Sequence, residues 1–294
     1  MYIPTGRRGV GREVKLNLSH RKHAVTALAA AVGATAIAGL SAGVASAQPA
    51  CPDVHVIGAA GSGERAGVSA DGGMGRVVYK TYRDLARMVQ QDGRTITGEA
   101  VAYPATPVPA DGGILAWAGF MDSVDAGVTA LGQQYQAFVA QCPTTQVVLA
   151  GYSQGAMVVH RNLHALDASP NLAAALLVAD GDRLPQDPTI NIGSVSSVPG
   201  AGKGVAQDWP ILARAPQPLP VTVGMRTISV CDLGDAVCDY DPDAEDEMNP
   251  AAVAVHTSYA RNSAAMDSRT LPLYQMVSRG VGAAPSAPVA AAAG

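Results

Sequence analysis

The chain has 294 residues, of which 48% are hydrophobic and only 4% aromatic, and its formal net charge is −4 at pH 7. This length suits one large α/β domain or two small ones, and the apolar fraction is ample for a core of Ala, Val, Leu and Ile. The weakly acidic charge gives no indication of nucleic-acid binding.

The first 47 residues have the composition of an export signal. Six Lys and Arg residues there stand against one acidic residue, Glu13. An uncharged stretch rich in Ala and Gly follows over 24–47, and it ends in Ala-Ser-Ala, a small-x-small cleavage pattern. A membrane anchor is the alternative interpretation, since the stretch is nearly long enough to span a bilayer. We predict that residues 1–47 are an export signal segment.

Five apolar runs after this segment have the length of buried strands, over 53–57, 99–103, 146–150, 175–179 and 226–230. Apolar residues at helical spacing predict helices over 74–92 and 122–141, and a further helix follows the third strand. Strands that alternate with helices favour a parallel sheet covered on both faces. The sequence therefore predicts an α/β fold.

Two segments lack this periodicity. Residues between 182 and 221 are rich in Pro, Gly, Ser and Gln, which predicts a long surface excursion and not a second domain. The Ala- and Pro-rich tail over 282–294 is predicted to be disordered. The folded domain is accordingly predicted over 48–281.

A glycine-rich turn follows the first strand, over 58–64. It contains G-x-x-G but neither G-x-G-x-x-G nor the Lys of a P-loop. Nucleotide binding at this turn is therefore disfavoured.

Four cysteines lie beyond the export segment: Cys51, Cys142, Cys231 and Cys238. An even count in an exported chain favours two disulfides, although the count alone leaves their pairing open. Cys231 and Cys238 are close in sequence, and pairing them leaves Cys51 for Cys142. A zinc site is the competing interpretation, but the spacing is not C-x2-C, so zinc is disfavoured.

The most informative motif is Gly151-Tyr152-Ser153-Gln154-Gly155, a G-x-S-x-G pattern between a predicted strand and a predicted helix. A serine hydroxyl attacks well only if it stands clear of the backbone, and a tight strand-to-helix turn achieves this. The turn forces the flanking positions against neighbouring backbone, which glycine tolerates. The following helix points free N–H groups at a developing oxyanion. We predict that Ser153 is a nucleophile.

The serine needs a base, and the chain offers six histidines: His20, His23, His55, His160, His164 and His256. The first two fall in the export segment, and the third lies on the first strand. His160 and His164 lie on the helix that follows Ser153; their spacing could suggest a metal, but a satisfied helix pair is favoured because no Glu or Cys accompanies them. His256 lies late in the chain, where the order Ser, acid, His of α/β-hydrolases places the base.

The acid should lie between the serine and this histidine, and the candidates are Asp232, Asp235, Asp239, Asp241 and Asp243. Only the first two fall between the last two cysteines, where a disulfide would hold the loop that carries the acid. Fixed geometry matters, because a misplacement of ~1 Å can cost ~100-fold in rate. The later aspartates resemble the start of a calcium loop, but Ala244 replaces its Gly and Pro250 its Glu, so a solvated turn is favoured.

With Ser153, Asp235 and His256 assembled, the chain resembles the cutinase family, in particular the secreted cutinase-like esterases of actinobacteria. Four features carry this resemblance: the elbow over 151–156, a cysteine eleven residues before the serine, a cysteine pair that encloses Gly-Asp, and Ala-Gly-Ser over 60–62. Together they cover roughly residues 51–280 and are far more specific than any one alone.

The resemblance implies a single α/β-hydrolase-like domain, a three-layer α/β/α sandwich around a five-stranded parallel sheet. It implies that Ser62 and Gln154 form the oxyanion hole, and that no metal or organic cofactor is needed. It also implies the disulfides Cys51–Cys142 and Cys231–Cys238. The chain departs from compact cutinases in two longer connections, over 183–221 and 239–250, both of which we expect to border the site.

The leading hypothesis is therefore a secreted, monomeric serine esterase that acts on short to medium acyl esters. An alternative keeps the triad but acts on lipids of the cell envelope, as a phospholipase, thioesterase or mycolyl-ester hydrolase. A secreted binding protein without catalysis is less favoured, since no triad residue or elbow glycine is missing. An ester or lipid substrate is expected, compatible with transient contact with lipid surfaces, and no nucleic acid.

Overall fold

The computed structural model describes residues 50–65, 70–109, 114–209, 217–243, 249–261 and 263–279. The predicted export segment over 1–47 and the predicted tail over 282–294 lie outside these residues. So does the middle of the connection predicted over 239–250.

The described residues form one six-stranded parallel sheet with the strand order β2-β1-β3-β4-β6-β5. Its strands are β1 (Val54–Ala59), β2 (Ile96–Ala100), β3 (Gln146–Tyr152), β4 (Leu172–Val178), β5 (Ile190–Ile192) and β6 (Thr227–Val230). The prediction of a parallel sheet is confirmed. Its count of five strands is wrong by one, because the three-residue β5 pairs with β6 at the edge of the sheet.

Helices cover both faces of the sheet. They are α1 (Arg76–Gln91), α2 (Ile114–Gln141), α3 (Gln154–Leu163), α4 (Val221–Gly224), α5 (Pro250–His256) and α6 (Ser263–Arg279). One buried apolar cluster joins α2 and α3 to the sheet, and a second joins α1 and α6 to its other face. This is the three-layer α/β/α sandwich that the sequence predicts.

The central strands are apolar throughout because both of their faces are buried. Leu149 and Leu177 belong to the cluster beneath α2 and α3. Their neighbours Val148 and Leu176 belong to the cluster beneath α1 and α6. A strand covered on both sides therefore appears in sequence as an uninterrupted apolar run, without the alternation of a half-exposed strand.

Two element boundaries differ from the prediction. The strand predicted over 99–103 lies at 96–100, because the edge strand β2 pairs only with β1 and exposes Thr97 and Gly98. The helix predicted from 122 begins at Ile114, and its first turns expose apolar side chains, so the amphipathic pattern is absent there. By length and composition α2 could also span a membrane, but here it buries residues such as Leu131 against the sheet.

The predicted surface excursion over 182–221 is more than a surface segment, because it adds β5 to the sheet and buries Val195 and Leu219. Arg183 organises this segment from a buried position. Its guanidinium donates to Asn191 Oδ1 at 2.8 Å, to the carbonyl of Ala201 at 3.1 Å and to that of Gly202. A buried guanidinium needs several acceptors, and loop carbonyls supply them here.

Both disulfides join points that the fold brings together. Cys51–Cys142 links the residues before β1 to the end of α2, with 5.5 Å between the two Cα atoms. Cys231–Cys238 closes a short loop directly after β6. The Cys51–Cys142 disulfide closes the longer loop, so it removes more conformational entropy from the unfolded chain.

A buried ionic network holds α3 to the loop after β4. His160 Nδ1 lies 2.5 Å from Asp180 Oδ2, and both side chains are almost fully buried. The neighbouring Arg161 donates to both carboxylate oxygens of Asp182, at 2.6 and 3.1 Å. His164 stacks on His160 with 6.1 Å between ring centroids. The two histidines are thus neighbours at the end of α3, and His160 pairs with a buried carboxylate.

Because of this network, the free energy of unfolding should fall at alkaline pH. Burial alone lowers the pKa of His160, but the Asp180 carboxylate outweighs it and raises the pKa to about 9. Because the folded-state pKa exceeds the ordinary value, the stabilisation is complete below about pH 6.5 and disappears as pH rises through 9. We expect the free energy of unfolding of the wild type to fall by at most roughly 3 kcal/mol over this window.

The measurement is urea unfolding at pH 6.5 and pH 9.5 for the wild type, His160→Gln and His164→Gln. His160→Gln should flatten the pH dependence of the free energy of unfolding, whereas His164→Gln, at the exposed residue that follows the last residue of α3, should keep it. If the free energy of unfolding falls by the same amount between pH 6.5 and pH 9.5 in all three proteins, the His160–Asp180 pair does not cause the loss of stability at alkaline pH.

Candidate active site

Ser153 lies in a sharp turn between β3 and α3, with φ 53° and ψ −120°. A positive φ is strained for a residue with a side chain, so the surrounding packing must hold it. A Cβ atom at Gly151 would overlap the carbonyl of Gly155, and one at Gly155 would overlap the carbonyl of Ala59. The two glycines of the motif are therefore needed for close backbone approach, as expected from the sequence.

Three side chains from distant parts of the chain meet at this turn. His256 Nε2 lies 3.0 Å from Ser153 Oγ. The other ring nitrogen, Nδ1, lies 3.0 and 3.1 Å from the two carboxylate oxygens of Asp235. Both contacts are within hydrogen-bond distance, so the structure brings together the three residues that the sequence analysis selected.

Asp235 is fully buried in the loop closed by Cys231–Cys238. Its Oδ1 accepts backbone N–H groups from Val237 at 2.7 Å and Cys238 at 3.1 Å, and its Oδ2 accepts the Tyr259 hydroxyl at 2.8 Å. Burial alone raises the pKa of Asp235, but the contact with His256 and these donors outweigh it, so the pKa lies below its usual value. The carboxylate is therefore charged at neutral pH.

Two tyrosines that the sequence analysis did not select support the histidine and the aspartate. The Tyr152 hydroxyl donates to the backbone carbonyl of His256 at 2.7 Å, and the two rings stack with 5.3 Å between centroids. Tyr259 is 1% exposed, and its hydroxyl also accepts the N–H of Asp232 at 2.9 Å. Tyr259 lies close to His256 in sequence, but nothing in the sequence indicates which carboxylate it contacts.

Ser62 and Gln154, the predicted oxyanion residues, follow β1 and the serine turn respectively. Gln154 is the first residue of α3, so its N–H has no acceptor within that helix. Its side chain is buried and bonded to Ser123 Oγ and the Thr106 carbonyl, each at 3.3 Å. Ser62 Oγ is buried and has no hydrogen-bond partner among the described residues.

A cavity of about 420 Å³ lies beside Ser62. Its polar lining includes Glu64, Asp71, Arg76 and Arg261. Tyr152 and Thr257, the chain neighbours of the serine and the histidine, also line it. The cavity is therefore next to the serine turn, and four charged side chains belong to its lining.

The remaining sequence candidates have other partners. Asp232 Oδ1 accepts the N–H and the hydroxyl of Ser194, and the Asp239 carboxylate accepts backbone N–H groups of Gly202 and Gly234. His55 lies toward the start of β1 and contacts Thr97 and Glu99 on β2. In the described part of the chain, no group of three or more His, Cys, Asp or Glu side chains has a metal-binding arrangement.

The segment over 183–221 packs against the loop that carries Asp235. Val205 N donates to the Val237 carbonyl at 2.9 Å, and Trp209 Nε1 donates to the Tyr240 hydroxyl at 2.7 Å. Trp209 also contacts Trp117 of α2, with 4.8 Å between ring centroids. This long connection therefore borders the site, in agreement with the expectation for loops at the carboxyl ends of parallel strands.

Comparison with known proteins identifies relatives of this chain. A family model described as Cutinase matches residues 50–270. The chain is 28% identical over 217 residues to a cutinase of Kineococcus radiotolerans, which covers 74% of this chain but only 59% of that protein. It is 30% identical over 191 residues to a cutinase of Botryotinia fuckeliana, covering 64% of this chain and 71% of that protein. It is also 30% identical over 109 residues to acetylxylan esterase 2 of Talaromyces purpureogenus, covering 37% of this chain and 41% of that protein.

Solved structures share the fold. A cutinase-like protein from Cryptococcus sp. matches with a TM-score of 0.54 and 20% identity, over 79% of this chain and 95% of that one. The catalytic core domain of acetyl xylan esterase from Trichoderma reesei matches with a TM-score of 0.52 and 24% identity, over 79% and 100%. The family model spans most of the chain and the same fold recurs in these structures, so the chain belongs to the cutinase family.

Proposed function

We propose that this protein is a serine hydrolase of carboxylic esters. The observation that carries the proposal is the continuous hydrogen-bonded relay from Ser153 through His256 to Asp235, at 3.0 Å for each step. A hydroxyl, an imidazole and a buried carboxylate in this order are the parts needed to generate a nucleophile at neutral pH. Family relatives named cutinase and acetylxylan esterase support an ester as the substrate.

In the proposed reaction, Ser153 Oγ attacks the ester carbonyl while His256 Nε2 accepts its proton. The bond to the alcohol breaks, and the imidazolium returns the proton to that leaving group. Water then attacks the acyl-enzyme in the same way and releases the acid. The charged Asp235 holds His256 in the tautomer that presents Nε2 to the serine, and it stabilises the imidazolium.

The oxyanion of each tetrahedral intermediate would be bound by Ser62 and by the N–H of Gln154. The orphaned Ser62 hydroxyl supports this role, since leaving a buried hydroxyl without a partner costs about 1–3 kcal/mol. Such a cost is offset if the hydroxyl gains an acceptor only when the intermediate forms. Each donor of this kind contributes about 3 kcal/mol to transition-state stabilisation.

We infer that the protein acts outside the cytoplasm, on short to medium acyl esters. Two disulfides among the described residues suit an oxidising compartment. The exposed apolar side chains of Ile114 and Leu115 at the start of α2 are compatible with transient contact with a lipid surface.

The first test replaces the nucleophile. Ser153→Ala should reduce hydrolysis of p-nitrophenyl butyrate at least ~1,000-fold, because it removes the hydroxyl on which the proposed acyl-enzyme forms. It should also abolish labelling by a fluorophosphonate probe. Ser197→Ala, at an exposed serine outside the relay, is the matched control and should retain both properties. Equal rates for wild type and Ser153→Ala would refute the mechanism.

The second test concerns the hydrogen bonds that hold the proposed acid. Tyr259→Phe removes a hydrogen bond to Asp235, so kcat should fall about 10- to 100-fold while KM is unchanged, as expected for one hydrogen bond to a charged group. Asp235→Asn should reduce kcat about 10,000-fold, since the imidazole would then be held in the wrong tautomer.

Tyr274→Phe provides the control for this pair, because it removes a hydroxyl bonded to a different carboxylate, that of Asp92, at an exposed position. Steady-state kinetics on p-nitrophenyl butyrate measure all three variants. If Tyr259→Phe and Tyr274→Phe are equally active, the tyrosine has no part in positioning the acid.

A further inference from the structure

Glu64 connects the turn that carries Ser62 to the beginning of a helix. Its Oε2 accepts the N–H of Gly61 at 2.8 Å, and its Oε1 accepts the N–H of Arg76 at 3.0 Å. Gly61 directly precedes Ser62, and Arg76 is the first residue of α1. One carboxylate therefore joins two backbone segments that are otherwise separate in sequence.

The helix favours this negative charge. The N-cap residue of α1, Gly75, has no side chain with which to cap the free N–H groups. Glu64 supplies an acceptor from outside the helix instead, where the helix dipole stabilises an anion. The carboxylate is thus held from both sides by charge-assisted hydrogen bonds, which are shorter and stronger than neutral ones.

The surrounding backbone leaves room for this arrangement. A Cβ atom at Gly75 would overlap Oε2 of Glu64, and the φ of Gly75 is +76°, which favours glycine. A Cβ atom at Gly61 would lie 2.6 Å from the ring of Tyr152 and 3.1 Å from the same Oε2. Both glycines therefore permit the close approach of the carboxylate to the turn.

We propose that Glu64 is a positioning residue that fixes the oxyanion turn to the amino end of α1 and so holds Ser62 in register with the serine turn. This inference rests on the proposed function, because it assigns Glu64 to the step in which the oxyanion is bound. Donors in an oxyanion hole act through fixed geometry, so a small displacement of the turn weakens the transition state more than it weakens substrate binding.

Other contacts keep the turn folded when the carboxylate is changed. Gly63 N donates to the Ala105 carbonyl at 2.8 Å, and the Tyr103 hydroxyl donates to the Ala60 carbonyl. Loss of the Glu64 contacts should therefore shift the turn without unfolding it. This separates a change in catalytic geometry from a general loss of structure.

The charge state of Glu64 should also affect how kcat depends on pH. The ionisable groups around it come from every neighbouring element: Arg65, Asp71, Arg76, Tyr103, Tyr152 and Arg261. Burial raises the pKa of Glu64, and Asp71 adds to this, whereas the two N–H bonds and Arg76 oppose it; the pKa lies above its usual value. The two-point contact is therefore complete above this raised pKa and lost as pH falls through it.

The experiment compares the wild type with Glu64→Gln on p-nitrophenyl butyrate. A glutamine has one acceptor oxygen, and its NH2 group would face the second N–H donor, so it imitates the protonated carboxyl group. We expect kcat to fall about tenfold with KM within twofold. The rate of inactivation by a fluorophosphonate should fall by a similar factor.

Glu99→Gln is the matched control. Glu99 is also partly buried and contacts a side chain, that of His55, but it lies on β2. Its kcat should stay within twofold of the wild type. Thermal melting of all three proteins checks that Glu64→Gln remains folded.

The pH profile provides the readout that a purely structural role would not change. The acid limb of kcat should be shallower in Glu64→Gln than in the wild type, because one ionisation has been removed. Glu64→Gln with wild-type kcat and an unchanged acid limb would overturn the inference. If the wild type is inactive and is not labelled by the probe, the proposed function fails. If the wild type is active and Glu64→Gln matches it in kcat and in the acid limb, only the positioning role fails.

Discussion

The close backbone contact between the end of β1 and the first turn of α3 is the constraint on which the site depends. Gly155 approaches the carbonyls of Ala59 and Ala60 so closely that a single Cβ atom would overlap them. This contact brings the amino end of α3 against the turn that carries Ser62. The positions of the proposed nucleophile and the proposed oxyanion donors are thus set by main-chain packing, which is less adaptable than contact between flexible side chains.

The strained backbone at Ser153 is held by the same packing. Its N–H donates to the carbonyl of Val178 on the adjacent strand at 2.9 Å, so the turn is tied to the sheet on that side as well. Asp235 then approaches from the loop after β6 and His256 from the last residue of α5, where the Cys231–Cys238 disulfide and two tyrosines limit their movement. Rigid elements therefore surround a residue whose conformation is unfavourable in isolation.

The sequence predicts those parts of this arrangement that depend on local pattern. Apolar runs covered on both faces mark the central strands, and the glycines at 151 and 155 mark the tight turn. It does not predict β5, because three residues in a Pro- and Gly-rich segment carry no periodic signal. Nor does it indicate that Ile114 begins a helix, since exposed apolar side chains there remove the amphipathic pattern.

Contacts between distant side chains are the part that sequence patterns could not supply. Tyr259 and Glu64 each lie near a motif residue, but their roles depend on which backbone N–H or carboxylate the fold brings beside them. The enclosing cysteines favoured Asp232 and Asp235 over Asp239, and the resemblance of Gly234-Asp235 to the family's acid loop then selected Asp235. Hydrogen-bond partners separated by 20 or more residues become evident only in three dimensions.

Two carboxylates of the site differ in electrostatic character for a physical reason. Asp235 is more deeply buried than Glu64, yet its pKa is lowered while that of Glu64 is raised. Asp235 faces an imidazole and a hydroxyl in addition to two N–H groups, whereas Glu64 has two N–H groups and a nearby like charge on Asp71. Burial alone thus does not determine the charge state, because the number and charge of the donors decide whether desolvation is offset. Asp235 therefore keeps its negative charge beside His256 at neutral pH, whereas the contacts of the Glu64 carboxylate weaken as the pH falls.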